Sequence, residues 1–174
     1  IHDHDYLHAF SDLLRLEQPK VQVLWRRDDY GHIRSLCFGN ISGDSRREVV
    51  LGTSEGTLHA FTNSGRSLWT QELGEEILSV QTGYINRGHW EDVVVCSSDH
   101  SISILSGFNR IRGQDKREPK IKRISSIDEW MTDFHVLADN KHGAIEIIVG
   151  SADKKILLYD EKLTTPSGII ETHQ

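Results

Sequence analysis

Three short apolar runs rich in β-branched residues punctuate the chain: "EVVLGT" at 48–53, "DVVVCS" at 92–97 and "EIIVGS" at 146–151. Each opens on an acidic residue and closes on small or polar ones. The runs are too short for helices and lack the alternating polar positions of a half-wet strand, so they predict strands covered on both faces. A few turn-forming residues later, "SEG", "SDH" or "ADK", each is followed by a second apolar stretch, "TLHAF", "SISIL" or "KILLY". That spacing is the spacing of a β-hairpin. Ahead of each run stands another apolar strand, "IRSLCFG", "ILSVQTG" or "MTDFHVLA", and "NSG" at 63–65 offers a further turn before "RSLWTQEL". The pattern predicts four strands per unit.

The units are copies of one another. Ile33 to Phe61 aligns without gaps on Ile77 to Leu105, a step of 44 residues that carries Glu48 onto Asp92 and Gly39 onto Gly83. A third copy follows after a longer step of 54 residues, from Asp92 to Glu146, with Gly150 over Gly52 and Tyr159 over Phe61. The tetrapeptide "LHAF" occurs at 7–10 and again at 58–61, and "VLW" at 23–25 resembles "SLW" at 67–69, so the sequence opens inside an earlier copy. Four-stranded repeats of this period predict the blades of a β-propeller, radial sheets packed face to face around a channel. The expected architecture is all-β: a β-propeller segment of about three and a half four-stranded antiparallel blades. Its parts are a partial blade at 1–30, holding only the last two strands, and blades at 31–74, 75–126 and 127–174, the second with a basic insertion at 106–124. A sandwich or a β-solenoid built from related hairpins is the alternative. Only "SDLLRLEQ" at 11–18 and "SSIDEW" at 125–130 read as short helical stretches. A closed propeller has about four to eight blades. Both ends of this arc are therefore expected to be open, with the missing blades elsewhere in the parent polypeptide or in a partner chain.

"GNISGDSRREVVLGTSEGTLHAF" resembles the FG-GAP repeat of integrin-α-like propellers, whose blades carry a Ca²⁺ loop of the form D-x-D/N-x-D-G-x-x-D/E before an apolar strand. "EGTLHAFTNSGRSLW" is similar to the quinoprotein-like blade, and the overall pattern is WD40-like in its period. The mixture looks most like the intracellular propellers of ciliary-coat and nutrient-signalling scaffold subunits. Carried over residue by residue, the Ca²⁺ loop falls on Asn40, Ser42, Asp44 and Glu48. This copy lacks the first Asp, the third-position acid and the glycine after Asp44, and it sets Arg46 and Arg47 beside the site. The second copy offers Tyr84, Asn86 and Gly88, and the third Ala138, Asn140 and His142, each with one acid, Asp92 or Glu146. A Ca²⁺ ion takes six to eight oxygens and several carboxylates, so no metal is expected. The expected role of Glu48, Asp92 and Glu146 is to accept backbone N–H bonds at the entrance to the second strand. No redox cofactor is expected, since a quinoprotein site is assembled by many blades. What the resemblance implies is a non-enzymatic scaffold for protein–protein interaction inside a larger assembly, with the cytoplasm favoured as its compartment. The alternatives are a ligand- or cofactor-binding propeller enzyme, and nucleic-acid or lipid contact through the basic insertion.

Composition sharpens this picture at a few points. Twenty Lys and Arg stand against 26 Asp and Glu, a formal net charge of −6, so the whole-protein field does not attract nucleic acid. No apolar run reaches the roughly 18 residues of a spanning helix. Cys37 and Cys96 are too few and too far apart for a disulfide framework or a zinc pattern and read as buried free thiols. No Gly-x-Ser-x-Gly elbow, phosphate loop or His-Glu-x-x-His helix is present. On a strand His4, Tyr6 and His8 would share a face and, with Asp3 or Asp5, form a metal candidate, though a solvated edge strand accounts for them.

The basic segment at 108–123 sets Arg110, Arg112, Lys116, Arg117, Lys120, Lys122 and Arg123 against Asp115 and Glu118. It reads first as a long solvated loop and next as a docking site for an acidic partner protein. Trp25, Trp69 and Trp130 read as inter-blade packing residues. Trp90, in the loop "NRGHWED" with Arg87 and His89, is the aromatic candidate for contact with a partner.

Overall fold

The computed structural model describes residues 22–86, 89–106, 119–124, 130–138, 145–159 and 166–171. Its twelve strands form three antiparallel sheets of four, each in simple meander order. Blade 1 holds β1 (Ile33–Gly39), β2 (Glu48–Thr53), β3 (Thr57–Phe61) and β4 (Ser67–Glu72). Blade 2 holds β5 (Ile77–Gly83), β6 (Asp92–Ser97), β7 (Ile102–Ser106) and β8 (Lys120–Ile124). Blade 3 holds β9 (Met131–Ala138), β10 (Ile145–Ser151), β11 (Lys155–Tyr159) and β12 (Gly168–Glu171). No helix occurs among the described residues; the two short helical stretches expected at 11–18 and 125–130 lie outside them, apart from Trp130 just before β9.

The repeat is visible in the backbone as well as in the letters. In each blade the turn after the second strand closes with one amide bond: Gly56 to the Thr53 carbonyl (3.2 Å), His100 to Ser97 (3.1 Å) and Lys154 to Ser151 (3.2 Å). The closing residue is left-handed in all three, with φ of 80°, 63° and 62°. Glycine adopts that conformation freely, whereas His and Lys adopt it at a steric cost. The next fixture is an amide bond back to the residue before the blade's first strand, from Ser54 to His32, Ser98 to Glu76 and Ala152 to Trp130. A register shift follows at one homologous place in every blade, between Ile33 and Ser35, between Ile77 and Ser79, and at Gly150 and Ser151 opposite Met131. Such bulges add twist, which radial sheets need in order to stack.

Two apolar layers hold the blades together. Between blades 1 and 2 lie Ile41, Val50, Leu58, Ala60 and Trp69 on one side and Ile77, Val80, Val93, Val95 and Leu105 on the other. Between blades 2 and 3, Ile85, Val94, Cys96, Ile102 and Ile104 meet Phe134, Val136, Ile147, Val149, Leu157 and Tyr159. Blade 2 is thus covered on both faces, and every residue of β6 is buried. That is the burial expected of "DVVVCS", a run with no polar alternation.

The first strands β1, β5 and β9 run beside one another, where the blades approach most closely. Side chains stitch them to one another's backbones. The Ser35 hydroxyl accepts the Val80 amide (3.0 Å), and the Thr82 hydroxyl donates to the Phe38 carbonyl (3.2 Å). Gln81 clamps β9 in both senses, its Nε2 donating to the Phe134 carbonyl and its Oε1 accepting the Val136 amide (3.0 Å). First-strand edges lack a partner within their own sheet, and these bonds satisfy part of that need.

Candidate interaction surfaces

The acidic residue that opens β2 and the one that opens β6 face inward. Glu48 is 2% exposed. Its Oε2 accepts the amides of Ile41 (3.0 Å) and Ser42 (3.1 Å), and its Oε1 accepts the Ser42 hydroxyl (2.9 Å). Asp92 repeats the device, its carboxylate accepting the Asn86 amide at 2.8 Å. Glu146 pairs through its backbone with Leu137, as Glu48 does with Gly39 and Asp92 with Gly83. Burial pushes the carboxyls of Glu48 and Asp92 above the usual carboxylate range, while their hydrogen bonds pull back.

This arrangement bears on the calcium loop that the resemblance implies. Both oxygens of Glu48 are committed to the turn, Asn40 Oδ1 accepts the Gly43 amide (3.0 Å), and Asp44 Oδ1 accepts the Arg46 amide (3.0 Å). With Ser42 Oγ turned to Glu48, the four candidate residues tie the loop to itself. They do not present a cage of outward oxygens, and they do not fit Ca²⁺. Among the described residues no cluster of three His, Cys, Asp or Glu is placed to hold a metal. The N-terminal candidates Asp3, His4, Asp5, Tyr6 and His8 lie outside the described residues.

Trp90 is half-buried and lies over the loop of the neighbouring blade: a Cβ placed on Gly43 would fall 2.9 Å from its Cε3. The same loops are joined by the Glu91 amide, which donates to the Asn40 carbonyl at 2.8 Å. The chain therefore brings the 40–46 and 89–91 segments together at one end of blades 1 and 2, with His89 exposed beside them. Arg87 is outside the described residues, as are Arg110, Arg112, Lys116 and Arg117. Lys120, Lys122 and Arg123 are not in a loop. They lie on β8, the outer edge strand of blade 2, paired with β7 from Ser106↔Lys120 to Ile102↔Ile124. The basic segment read as a loop at 108–123 thus ends in a strand, because a four-stranded blade needs a partner for the outer edge of β7. Lys120 is exposed there, and cationic residues on an edge strand oppose further edge-to-edge pairing.

Cys37 is half-buried and Cys96 buried, both as free thiols. Burial, with Glu91 near Cys37 and Asp133 and Asp99 near Cys96, pushes each thiol up to about 12, which leaves no nucleophilic thiolate.

Two further surfaces among the described residues are the end faces of the stack, whose individual residues the sequence reading did not single out. On blade 1 the face away from blade 2 carries Ile33, Leu36 and Phe38, each more than half exposed. Its outer part is covered by residues 22–30: the Trp25 and Tyr30 rings lie 5.9 Å and 5.2 Å from Phe61, and the Arg27 guanidinium donates to the Gly65 carbonyl. On blade 3 the register places His135, Ile148 and Leu158 on the face away from blade 2, together with Gly150, Ile156 and Ile170. His135 and Ile170 are exposed and Ile148, Ile156 and Leu158 half-exposed. A usable signal was present: these positions are the repeat equivalents of Gln81, Val94, Cys96, Ile102 and Ile104.

Three twisted, stacked four-stranded meanders with their first strands side by side are a β-propeller arc, and the fold is that of a β-propeller segment. No protein-family profile matches the chain, and no curated protein matches it in sequence. Solved structures do. The chain is similar to BamB from Moraxella catarrhalis with a TM-score of 0.56 and 19% identity, over 86% of this chain and 40% of that one. It is also similar to a chain of the humanized mutant of the Chaetomium thermophilum Polycomb Repressive Complex 2 bound to the inhibitor GSK126, with a TM-score of 0.56 and 18% identity. That match covers 78% of this chain and 28% of the other. The chain thus spans less than half the length of either, and at these identities the likeness concerns the fold.

Proposed function

We propose that the chain is a non-enzymatic scaffold, a β-propeller segment that mediates protein–protein contact within a larger assembly. The observation that carries this reading is the pair of apolar end faces on either side of a closed middle blade, since exposed patches of this kind mark sites of macromolecular contact. The buried acids support it, because Glu48 and Asp92 are spent on their own turns, and the high-pKa thiols offer no nucleophile. One of the two similar chains belongs to a protein named as a complex, which is consistent with assembly. Missing blades or other protein subunits are the partners, and the 89–91 loop with His89 and Trp90 and the basic segment from Arg110 to Arg123 are the variable elements available to contact them. The FG-GAP assignment belongs to this proposal, as does the cytoplasmic setting.

The test is affinity purification of the native polypeptide from its own cells, beside variants lacking residues 107–118 or carrying Trp90→Ala. Deletion is confined to 107–118 so that β8 keeps its place on β7. Stoichiometric subunits that co-purify with the native form, and at least one of which is lost from a variant, are the expected result. A partner-free protein that carries a bound cofactor or turns over a substrate would overturn it.

A further inference from the structure

One end of the stack holds the turns after the second strands and the residues that lead into the first strands. There His32, Glu76 and Trp130 are equivalent, each accepting at its carbonyl the amide of the residue that follows its blade's second strand. The sequence reading sets Trp130 between blades, but it is 71% exposed, because it precedes β9 instead of lying on a sheet face. An edge contact with His100 of blade 2, 5.0 Å between centroids with the planes at 68°, steadies the ring. A further blade does not cover this position. His32 keeps 90% of its side-chain surface with blade 2 seated beside it, and Glu76 keeps 37% with blade 3 beside it. Stacking buries sheet faces and leaves the strand connections clear, so whatever occupies Trp130 comes from outside the stack of blades.

The surroundings of the indole are acidic. Asp153 follows Ala152, whose amide donates to the Trp130 carbonyl at 2.9 Å, and Asp99 precedes His100. Asp133 is exposed on β9, and it and Asp99 both lie near Cys96, whose Sγ is 3.5 Å from Met131 Sδ. The same end of blade 1 carries Glu55 and Glu72, with Glu75 leading into blade 2, all exposed. Of the cations here, Arg34 is paired with Glu76 at 2.9 Å, and Lys154 and Lys155 belong to the turn of blade 3. The opposite end of the stack presents Arg46, Arg47, Arg66 and Lys120. Charge is thus divided between the two ends, and the exposed Trp stands at the negative one.

An ammonium or guanidinium is drawn to the face of a Trp ring and pairs with carboxylates, so a cationic side chain uses both features of this surface. An apolar partner would strip water from Asp99, Asp133 and Asp153 without pairing them, and nucleic acid or an anionic membrane would be repelled. Among the described residues no three acids are close enough together to hold a metal, a spread that matches successive cations along an extended segment. We propose that this end of blades 2 and 3 is the docking surface for a Lys- and Arg-rich segment of a separate protein, one cation of which stacks on Trp130 while its neighbours pair with Asp99, Asp133 and Asp153. The proposal rests on the scaffold reading and gives one of its partners a chemistry.

The experiment places the photo-crosslinking residue p-benzoylphenylalanine at the exposed Ala152 of the native polypeptide, irradiates it in its own cells and maps the crosslinked peptide. A crosslink to a Lys- and Arg-rich segment of another protein is the expected result. Synthesised as a peptide, that segment should bind the native polypeptide, and Trp130→Leu should weaken binding about tenfold. Trp130→Phe keeps an aromatic face and should weaken it less than Trp130→Leu, while thermal melting of both variants matches the parent because the side chain is exposed. Asp153→Asn should weaken binding by about threefold at low salt and by less at high salt. A crosslink within the same polypeptide, to nucleic acid or to a segment without cations overturns the proposal, as does the absence of any crosslink in the folded protein. Equal binding by Trp130→Leu and Trp130→Phe overturns it too. Subunits that co-purify while the Ala152 crosslink is absent leave the scaffold reading standing and this proposal refuted, so the two fail separately.

Discussion

Blades 2 and 3 carry the same kinds of residue at equivalent positions and meet opposite fates. Val94, Ile102 and Ile104 are sealed against blade 3, whereas Ile148, Ile156 and Leu158 remain half-exposed on a sheet of the same order and register. The strands themselves do not differ in a way that explains this. What differs is the presence of a neighbour. In a stack of repeats each sheet buries its second face only against the next one, so stability is a property of junctions more than of blades. Gly52 and Gly150 make the point at a single position, one glycine pressed by Ile77 and Val80 and the other with no atom of another blade within 4 Å among the described residues.

Breaking the closed junction should produce the largest effect. Val94→Asp buries an unpaired carboxylate between blades 2 and 3 and is expected to cost about 3–5 kcal/mol or prevent folding. Leu158→Asp, on the open face, is expected to stay within roughly 1 kcal/mol. Urea denaturation of the two variants reads the contrast directly, and equal losses would show that the end face is not open in solution.

The glycine pair comes next. Gly52→Ala forces Ile77 or the backbone to move and should cost about 1–3 kcal/mol. Gly150→Ala in the same chain is expected to change thermal stability by no more than about 0.5 kcal/mol. Should both prove equally damaging, the difference between closed and open junctions does not lie at this position.

The acidic turns offer a smaller test, in which pH is the probe. Glu48→Ala leaves the Ile41 and Ser42 amides without their acceptor and should cost about 1–3 kcal/mol. Glu48→Gln retains an acceptor and should cost less. Because burial raises the Glu48 carboxyl in the folded state, the folded chain holds its proton more tightly than the unfolded one. The contribution of this group is therefore complete below the ordinary carboxylate value and is lost as pH rises through the raised one. Thermal melts between acid and neutral pH should show that decline in the parent and a flatter profile in Glu48→Gln. A parent that gains stability from this residue as pH rises contradicts the assignment.

The smallest effect belongs to the hairpin turns. Lys154 occupies a left-handed position that Gly56 fills in blade 1, so Lys154→Gly should stabilise the chain by about 0.5–1 kcal/mol. His100→Gly should gain less, because it forfeits the edge contact of His100 with Trp130, whose ring centroid lies 5.0 Å away. Differential scanning calorimetry of the two variants ranks them.

Much of this architecture is legible along the chain. The apolar triplets at 49, 93 and 147, the turn residues after them and the constant spacing specify three four-stranded units, because strand formation, hairpin closure and the inward turn of Glu48 and Asp92 are settled within a few dozen residues. The fate of the basic segment was less legible. Its Lys and Arg content reads as solvated loop, yet its last four residues, together with Ile124, complete blade 2, since a lone outer edge on β7 recruits whatever strand the chain next supplies. The roles of Gly52, Gln81 and Trp90 were invisible for a related reason. Each acts across a junction between sheets, on atoms about 25 to 55 residues distant, and local periodicity carries no record of which faces will meet. Sequence determined what each blade is; only the packing of one twisted sheet on the next decided which apolar faces are core and which are left exposed.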